Sequence, residues 1–352
     1  MTIETLIETN SSHTAGINAL SLFDGMSCGR IALERAGIKV DNYYSSEIDK
    51  YAIQIANKNY PQDEIDRLGD ITKWQNWNIN WSNIDLVTGG FPCQAWSIAG
   101  KQLGDRDERG MLFWTMLDIM KKVLEHNPKA KFLIENVKMK KEFEEYITLH
   151  TSNALGVVHK YLINSALVSA QNRQRYYWTN VPDVIQPEDK GLLIRDILDD
   201  GINSSFYMNK PLILNGKETG QIGILDYNDN ERQKRVYSDD YKSPSLLARS
   251  DSPRIIKIGD LDMKASQQIK RVYSTEGLSP TLDTMQGGHR QPKILIENKV
   301  RKLTPLECER LQTLPDNYTD CVSNSQRYKA IGNGWTIDVI THIFKEISND
   351  KY

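Results

Sequence analysis

The feature that most constrains the fold is an alternation through roughly the first 180 residues: a short apolar run, a polar or glycine-containing turn, then a stretch with helical spacing. Residues 17–23 (INALSLF) read as a first strand, followed by Asp24-Gly25-Met26-Ser27-Cys28-Gly29 and a helix over 30–36 closed by Gly37. A second strand over 40–46 ends in Glu47, and a helix runs from Asp49 to just before Pro61. Residues 84–88 (IDLVT) lead directly into Gly89-Gly90-Phe91-Pro92-Cys93-Gln94. A helix is expected over 111–124, a strand over 131–134 ending in Glu135-Asn136, and a helix over 140–154. This is the pattern of βαβ units building a mostly parallel sheet. It sets each chemically suggestive group just past a strand, where open α/β sheets bind ligands.

Beyond Pro187 the alternation stops, and short segments rich in Tyr, Ser, Asp, Gly and Val predict an irregular β region. That region contains a repeat. Ile222-Gly223, Leu225-Asp226, Lys234-Arg235-Val236-Tyr237-Ser238 and Ser243-Pro244-Ser245-Leu246 return 36 positions later as Ile258-Gly259, Leu261-Asp262, Lys270-Arg271-Val272-Tyr273-Ser274 and Ser279-Pro280-Thr281-Leu282. Two copies are too few for a solenoid, so a duplicated β element is expected. From Arg301 helical character resumes, with Thr304 as N-cap, Pro305 at the first helical position, and a last stretch over 327–347 broken by Gly332-Asn333-Gly334. The chain then reads as one large domain made from both ends, 1–186 with 327–352, carrying an inserted domain over 187–326.

Two carboxylates punctuate the turns of the first half. Glu47, 22 positions after Gly25, stands where a carboxylate accepts hydrogen bonds from two ribose hydroxyls, and Asp70 in Gly69-Asp70-Ile71-Thr72 is placed to accept from an adenine amino group. The first turn does not fit G-x-G-x-x-G, which favours a nucleotide-like cofactor other than a nicotinamide dinucleotide. The four cysteines (Cys28, Cys93, Cys308 and Cys321) form no CxxC pair, so no zinc or disulfide framework is indicated. Cys93 alone has reactive surroundings. Two glycines and Pro92 precede it, and Gln94, Ser97 and Lys101 follow. A nucleophilic thiol needs partners, for which Glu135, Arg173 and Arg175 are the candidates, each after its own strand.

Gly90-Phe91-Pro92-Cys93-Gln94-Ala95-Trp96-Ser97-Ile98, Phe132-Leu133-Ile134-Glu135-Asn136-Val137, Gln171-x-Arg173-x-Arg175 and Gly332-Asn333-Gly334 resemble, in order and spacing, the motifs of the cytosine-C5 DNA methyltransferase family of bacterial or phage type. The opening Phe23-Asp24-Gly25 and closing Gly334-Trp335 are similar to its cofactor motifs, in the flavour of the eukaryotic de novo branch. The resemblance covers nearly all of the chain outside the first dozen residues and the inserted β region. It implies a Rossmann-like, S-adenosyl-L-methionine-dependent methyltransferase domain with an inserted small, mostly β target-recognition domain. The implied cofactor pocket takes in Phe23, Asp24, Gly25, Met26, Ser27, Cys28, Gly29, Glu47, Ile48, Asp70, Ile71, Pro92, Asn333, Gly334 and Trp335, with Cys28 near the cofactor but not a nucleophile. It further implies Cys93 as nucleophile at cytosine C6, Glu135 at N3, Arg175 at O2, and Arg173 orienting the acid and the thiol.

Double-stranded DNA is the implied partner, bound by a monomer. Lys plus Arg (44) against Asp plus Glu (46) give no global field for a polyanion, so local groups must meet it. The loop 94–110, with Gln94, Ser97, Lys101 and Arg109, reads as a mobile cover over the minor groove. Arg271, Thr281, Leu282 and Arg290 are expected to touch DNA from the inserted domain, Thr281-Leu282 resembling the Thr-Leu pair of such domains. No leader or membrane span is read, so a cytoplasmic enzyme is expected. Three other readings compete. A transfer RNA methyltransferase of the same family has a much reduced recognition domain, a non-catalytic DNA-binding relative would lack Cys93 or Glu135, and a nicotinamide dehydrogenase leaves Pro92-Cys93-Gln94 unexplained.

Overall fold

The computed structural model describes residues 16–92, 108–210, 212–214, 221–225, 235–237, 254–285 and 289–349. The large sheet has the strand order β2-β1-β3-β4-β6-β5. Its strands are β1 (Ile17–Leu22), β2 (Val40–Ser46), β3 (Leu86–Gly89), β4 (Lys131–Val137), β5 (His159–Asn164) and β6 (Gln174–Thr179). Strands β1 to β4 pair in parallel, and β6 runs antiparallel to both β4 and β5. The helices that alternate with them are α1 (Cys28–Arg35), α2 (Lys50–Asn59), α3 (Glu108–His126) and α4 (Lys141–Leu155). No helix among the described residues is long and apolar enough to cross a membrane.

Successive strand residues serve opposite faces, as a period of two requires. Ala19, Leu86, Leu133 and Tyr177 join one buried cluster with Ile31, Ile340 and Phe344, while Leu20, Val87, Ile134 and Trp178 join another with Phe113, Met116, Met120 and Ile147. Phe113, Met116, Leu117, Met120 and Val123 recur at helical spacing, so α3 lays one apolar stripe on the sheet. Local chemistry sets the helix ends. The Asp49 carboxylate accepts from the Tyr51 and Ala52 amides to start α2.

Two expectations about strand ends are corrected. β4 extends to Val137, so Glu135 and Asn136 lie inside it rather than after it. Arg175 likewise lies within β6, and Arg173 just before it. Because β6 is antiparallel, its beginning meets the same sheet edge as the ends of β1 to β4.

The second sheet has the order β13-β12-β11-β10-β8-β9, with β7 also on β10. Its strands are β7 (Leu212–Leu214), β8 (Gln221–Leu225), β9 (Arg235–Tyr237), β10 (Ile256–Leu261), β11 (Arg271–Tyr273), β12 (Lys293–Ile296) and β13 (Lys299–Lys302), with the single turn α5 (Gln267–Lys270) before β11. Among the described residues the repeat is reproduced in the strand pairing. Gln221↔Tyr237, Gly223↔Val236 and Ile224↔Arg235 in the first hairpin correspond to Lys257↔Tyr273, Gly259↔Val272 and Asp260↔Arg271 in the second, with the same register shift before the glycine. The two hairpins lie side by side through β8 and β10. Ser245 and Leu246 lie outside the described residues.

The chain returns through α6 (Pro305–Leu311), α7 (Asn324–Asn333) and α8 (Ile337–Asn349). Thr304 and Glu307 form a reciprocal capping box with Pro305 at the first helical position. Glu307 also takes both arms of buried Arg301 at 2.8 and 2.6 Å, clamping the end of the small sheet to α6.

Candidate active site

A cleft of about 590 Å³ opens at the carboxyl edge of the large sheet, where β1 sends its chain first to β2 on one side and later to β3 on the other. One end is built largely from main chain. Phe23, Gly25 and Ser27 all have left-handed φ (56°, 59° and 64°), which folds 23–27 into a tight turn ahead of α1. Two of these are not glycine, so the turn holds strain of the kind found at ligand sites. Glu47 fixes it: Oε2 accepts the Gly25 amide at 2.8 Å, and Oε1 accepts the amides of Ile48 and Asp49 at 2.8 Å each. The Asp70 carboxylate accepts the amide and hydroxyl of Thr72, and those bonds hold its pKa below the usual range. Ile48, 75% exposed, stands on the rim as an apolar surface.

Phe23, Gly25, Met26, Glu47, Ile48, Asp70, Ile71, Pro92 and Asn333 line the cleft. Asp24, Ser27, Cys28, Gly29, Gly334 and Trp335 form the layer behind it. The Asp24 carboxylate is turned inward, accepting from the Ser27 and Tyr43 hydroxyls at 2.7 Å each and pairing with Arg67 at 3.2 Å. It holds the turn instead of facing a ligand. Burial pushes the Cys28 thiol up to about 12, in keeping with a packing role. The Trp335 ring packs beside both Gly29 and Gly90.

The other end of the cleft is a charged pair. Arg175 Nε lies 2.9 Å from Glu135 Oε1, both side chains largely buried. Strand register brings them together. Glu135 faces Tyr177 and Val137 faces Arg175, so Glu135 and Arg175 are diagonal neighbours on one face of the β4–β6 ladder. Gly90 makes room: a Cβ there would lie 3.3 Å from Glu135 Oε2 and 3.1 Å from the Trp335 indole nitrogen. Asn136, to which the sequence assigns no separate role, donates from Nδ2 to the Phe91 carbonyl at 3.1 Å and so anchors the turn that leads into Pro92. The signal for it is an amide side chain inside an otherwise apolar strand. Lys329, which pairs with Asp49 beside the cleft, carries no such signal. Cys93, Gln94, Ser97 and Lys101 lie outside the described residues, and of Arg109 the backbone alone is described, in the first turn of α3.

Arg173 joins three segments. It donates from Nη1 to the Leu282 carbonyl at 3.0 Å and from Nη2 to the carbonyls of Gly332 at 3.3 Å and Gly334 at 2.9 Å. The Leu282 amide in turn donates to Gln171 Oε1, and the Thr281 hydroxyl donates to the Asn172 carbonyl at 2.6 Å. Gly332 is required here, because a Cβ would collide with the Asp283 carbonyl. This corrects the expectation for Leu282: at 2% exposure it is a core residue, and Thr281-Leu282 is a seam between the two sheets. Thr281 and Arg290 are exposed, and Arg271 is half-buried on β11.

The sequence model for C-5 cytosine-specific DNA methylases matches residues 17–349. The type II methyltransferase M.HhaI of Haemophilus parahaemolyticus is 30% identical over 98% of this chain and 98% of its own. The type II methyltransferase M1.ScrFI of Lactococcus lactis subsp. cremoris is 31% identical over 95% of this chain and 78% of its own. Among solved structures, the Entamoeba histolytica methyltransferase EhMeth aligns with a TM-score of 0.66 at 16% identity, covering 96% of this chain and 100% of that one. A putative DNA modification methyltransferase encoded within an E. coli prophage aligns at 0.59 with 19% identity, covering 95% and 99%. These two likenesses establish a shared fold. With a strained turn and carboxylates at one end of the cleft, a buried Glu135–Arg175 pair at the other, and a family match across both sheets, the chain belongs to the C-5 cytosine-specific DNA methylase family.

Proposed function

We propose that the protein transfers a methyl group from S-adenosylmethionine to C5 of a cytosine within a recognition sequence of double-stranded DNA, with the base turned out of the helix and held through a covalent bond from Cys93 to C6. The observation that carries this reading is the Glu135–Arg175 pair, set against the Gly90-Phe91-Pro92 turn in the same cleft as Glu47 and Asp70.

The residues at the cofactor end fit the group. The volume is in the range used by small-molecule sites, the acceptors Glu47 and Asp70 suit hydroxyl and amino donors, and Ile48 and Ile71 offer apolar surface to a flat ring. Bound S-adenosylmethionine supplies an electrophilic methyl group on a sulfonium. Everything else falls to the protein. Cytosine C5 is a poor nucleophile, so the Cys93 thiolate adds to C6 and the ring gains enamine character at C5. Glu135, which must carry or share a proton for this step, donates a hydrogen bond or that proton at N3, where negative charge accumulates. Arg175, held by Glu135, presents the rest of its guanidinium to O2. Arg173 keeps the wall closed by tying Gly332 and Gly334 to the seam at Leu282. After the methyl group is in place a water molecule takes the proton from C5, Glu135 recovers any proton it gave to N3, and the Cys93–C6 bond breaks by elimination, restoring aromaticity and the thiolate.

A stacked base cannot offer C6 to a side chain, so the reading requires the cytosine to leave the duplex, at about a few kcal/mol. The small sheet supplies the reading surface, and the proposed division of the chain is a catalytic part (1–186 with 327–352) and a recognition part (187–326). The test is incubation with S-adenosylmethionine carrying a labelled methyl, offering mixed-sequence duplex DNA and bulk transfer RNA in parallel, then nucleoside mass analysis. Label in 5-methylcytosine from DNA is expected. Label confined to RNA would replace DNA with RNA as substrate.

A further inference from the structure

Five cationic or potentially cationic side chains converge at one corner of the small sheet. Lys293 on β12 and Lys302 on β13 face each other directly in the antiparallel ladder. Like charges in that position repel. Lys293 is also almost completely buried, at 1% exposure, and its ammonium donates to the carbonyls of His289 at 2.6 Å and Gln291 at 3.0 Å. His289 adopts a left-handed φ of 60°, and with Arg290 it stands exposed on the turn that Lys293 holds. Lys210 approaches from a third segment, fixed by the Tyr207–Arg301 bridge and the bond from the Met208 amide to the Val300 carbonyl at 2.8 Å. Among the described residues, no carboxylate forms an ion pair with Lys210, Arg290, Lys293 or Lys302, whereas neighbouring Arg301 is fully matched by Glu307.

A cluster of this kind is costly. Burying an ammonium without a counter-charge is unfavourable, and a facing lysine adds to the cost. The cationic field bears on the protonation of its members. The Lys302, Lys293 and Lys210 charges, together with burial, hold His289 below its ordinary value, and burial with Lys302 lowers Lys293 to about 8. Among the described residues, buried Arg30 has Asp63, buried Arg301 has Glu307, and half-buried Arg327 has Glu309. The Lys293 cluster sits on the segment leading out of the cleft, since Leu282 is bonded to Arg173, Asp283 abuts Gly332, and Met285 is buried in the core only a few residues before His289.

We propose that Lys210, His289, Arg290 and Lys302, with Lys293 beneath them, form a seat for a phosphodiester of the DNA strand that passes over the small sheet, with the phosphate as the missing counter-charge. The inference rests on the DNA reading above and deepens it. The seat carries affinity and register, because phosphate contacts position a protein on DNA without reading bases.

The test is DNA binding by fluorescence anisotropy over a range of salt concentrations, with wild type, Lys210→Ala, Lys302→Ala and the double variant, whose side chains are at least partly exposed. Removal of one cation that neutralises a phosphate should make the dependence of log affinity on log salt shallower by about 0.9, roughly tenfold in affinity near 0.1 M salt, and equally for specific and non-specific duplexes. An unchanged slope and affinity in the double variant would overturn the seat. Lys293→Met supplies a second readout. Removing a buried charge that lacks an acid should raise the melting temperature of the protein without DNA, and a large fall would mean that Lys293 is satisfied by its two carbonyls alone. Inorganic phosphate serves as the free-anion probe: stabilisation of wild type by phosphate that Lys302→Ala abolishes, with the DNA slope intact, would assign the site to a free anion and overturn the DNA strand. Wild-type methyl transfer to duplex DNA is measured alongside. Transfer with an unaltered slope in the variants overturns the seat only, whereas absence of transfer to DNA overturns the reading beneath it.

Discussion

The two ends of the cleft are built from different materials. At the cofactor end, position is set by main-chain geometry: three left-handed residues in the turn 23–27, and a Glu47 carboxylate whose oxygens accept three backbone amides. At the base end, position is set by two long side chains, Glu135 and Arg175, placed diagonally by the β4–β6 register. On the proposed function the contrast follows from what each end has to do. A bound cofactor can be held by many small contacts to a preformed turn. A ring that must be polarised needs charge at defined atoms, and charge in a largely buried site is held best by a partner on a neighbouring strand.

Variants that act at one end should therefore leave the other intact, and the largest effects belong to the base end. Cys93→Ala should abolish methyl transfer, and Glu135→Gln should slow it by about 10²–10⁴-fold. Calorimetric S-adenosylmethionine affinity should stay within about threefold for both, less than a single ordinary hydrogen bond. Weakened cofactor binding in Glu135→Gln equal to its loss of rate would merge the two ends into one. Arg173→Ala should disturb both, because its guanidinium joins Leu282 to Gly332 and Gly334. Urea unfolding should show a loss of about 3 kcal/mol, the scale of buried charge-assisted hydrogen bonds. Unchanged stability would mean that the seam is held by packing alone.

Smaller effects are expected at the cofactor end. Glu47→Ala should weaken S-adenosylmethionine roughly tenfold, about 1.4 kcal/mol, while single-turnover transfer at saturating cofactor falls far less. An unchanged dissociation constant would remove Glu47 from the cofactor's contacts. The smallest expected signal is chemical. With its pKa raised by burial to about 12, Cys28 stays a protonated, covered thiol at mildly alkaline pH. Its protonated form is favoured by folding, so its contribution to stability is intact below about pH 9 and fades as pH rises toward 12. Peptide mapping after alkylation of the native protein should find Cys28 and Cys308, both buried, unmodified. Rapid labelling of Cys28 would show that the turn opens readily.

Much of the large sheet is legible in the sequence, because its strands are short apolar runs bounded by glycine turns and its helices keep a 3.6-residue stripe. The boundary of β2 and the N-cap at Thr304 with Pro305 behind it are read directly from the sequence, and the structure adds Glu307 as the other half of a capping box. Placing Glu135 and Arg175 inside strands is harder. Polar residues within a strand look like its end, and nothing local reveals that β6 runs antiparallel and so brings its beginning to the cleft. Asp24 reads as a ligand of the cofactor because its neighbours do. Tyr43 and Arg67, which turn it inward, come from distant positions. The motif around Leu282 points it toward DNA, yet its burial depends on Gln171 and Arg173, more than a hundred residues away. The repeat is visible in sequence to the residue, but the matching register shift that makes its two copies equivalent hairpins belongs to the backbone.

The central claim, a covalent bond from Cys93 to the base, is tested most directly with duplex DNA in which cytosine is replaced by 5-fluorocytosine. Fluorine at C5 cannot leave as a proton does, so an adduct that normally resolves by elimination should persist. Incubation with S-adenosylmethionine followed by denaturing separation and peptide mass analysis should find the nucleotide on the Cys93 peptide, with little or none in Glu135→Gln. An enzyme that methylates ordinary DNA at C5 yet yields no adduct with the fluorinated duplex, or yields one on a different cysteine, would contradict the account.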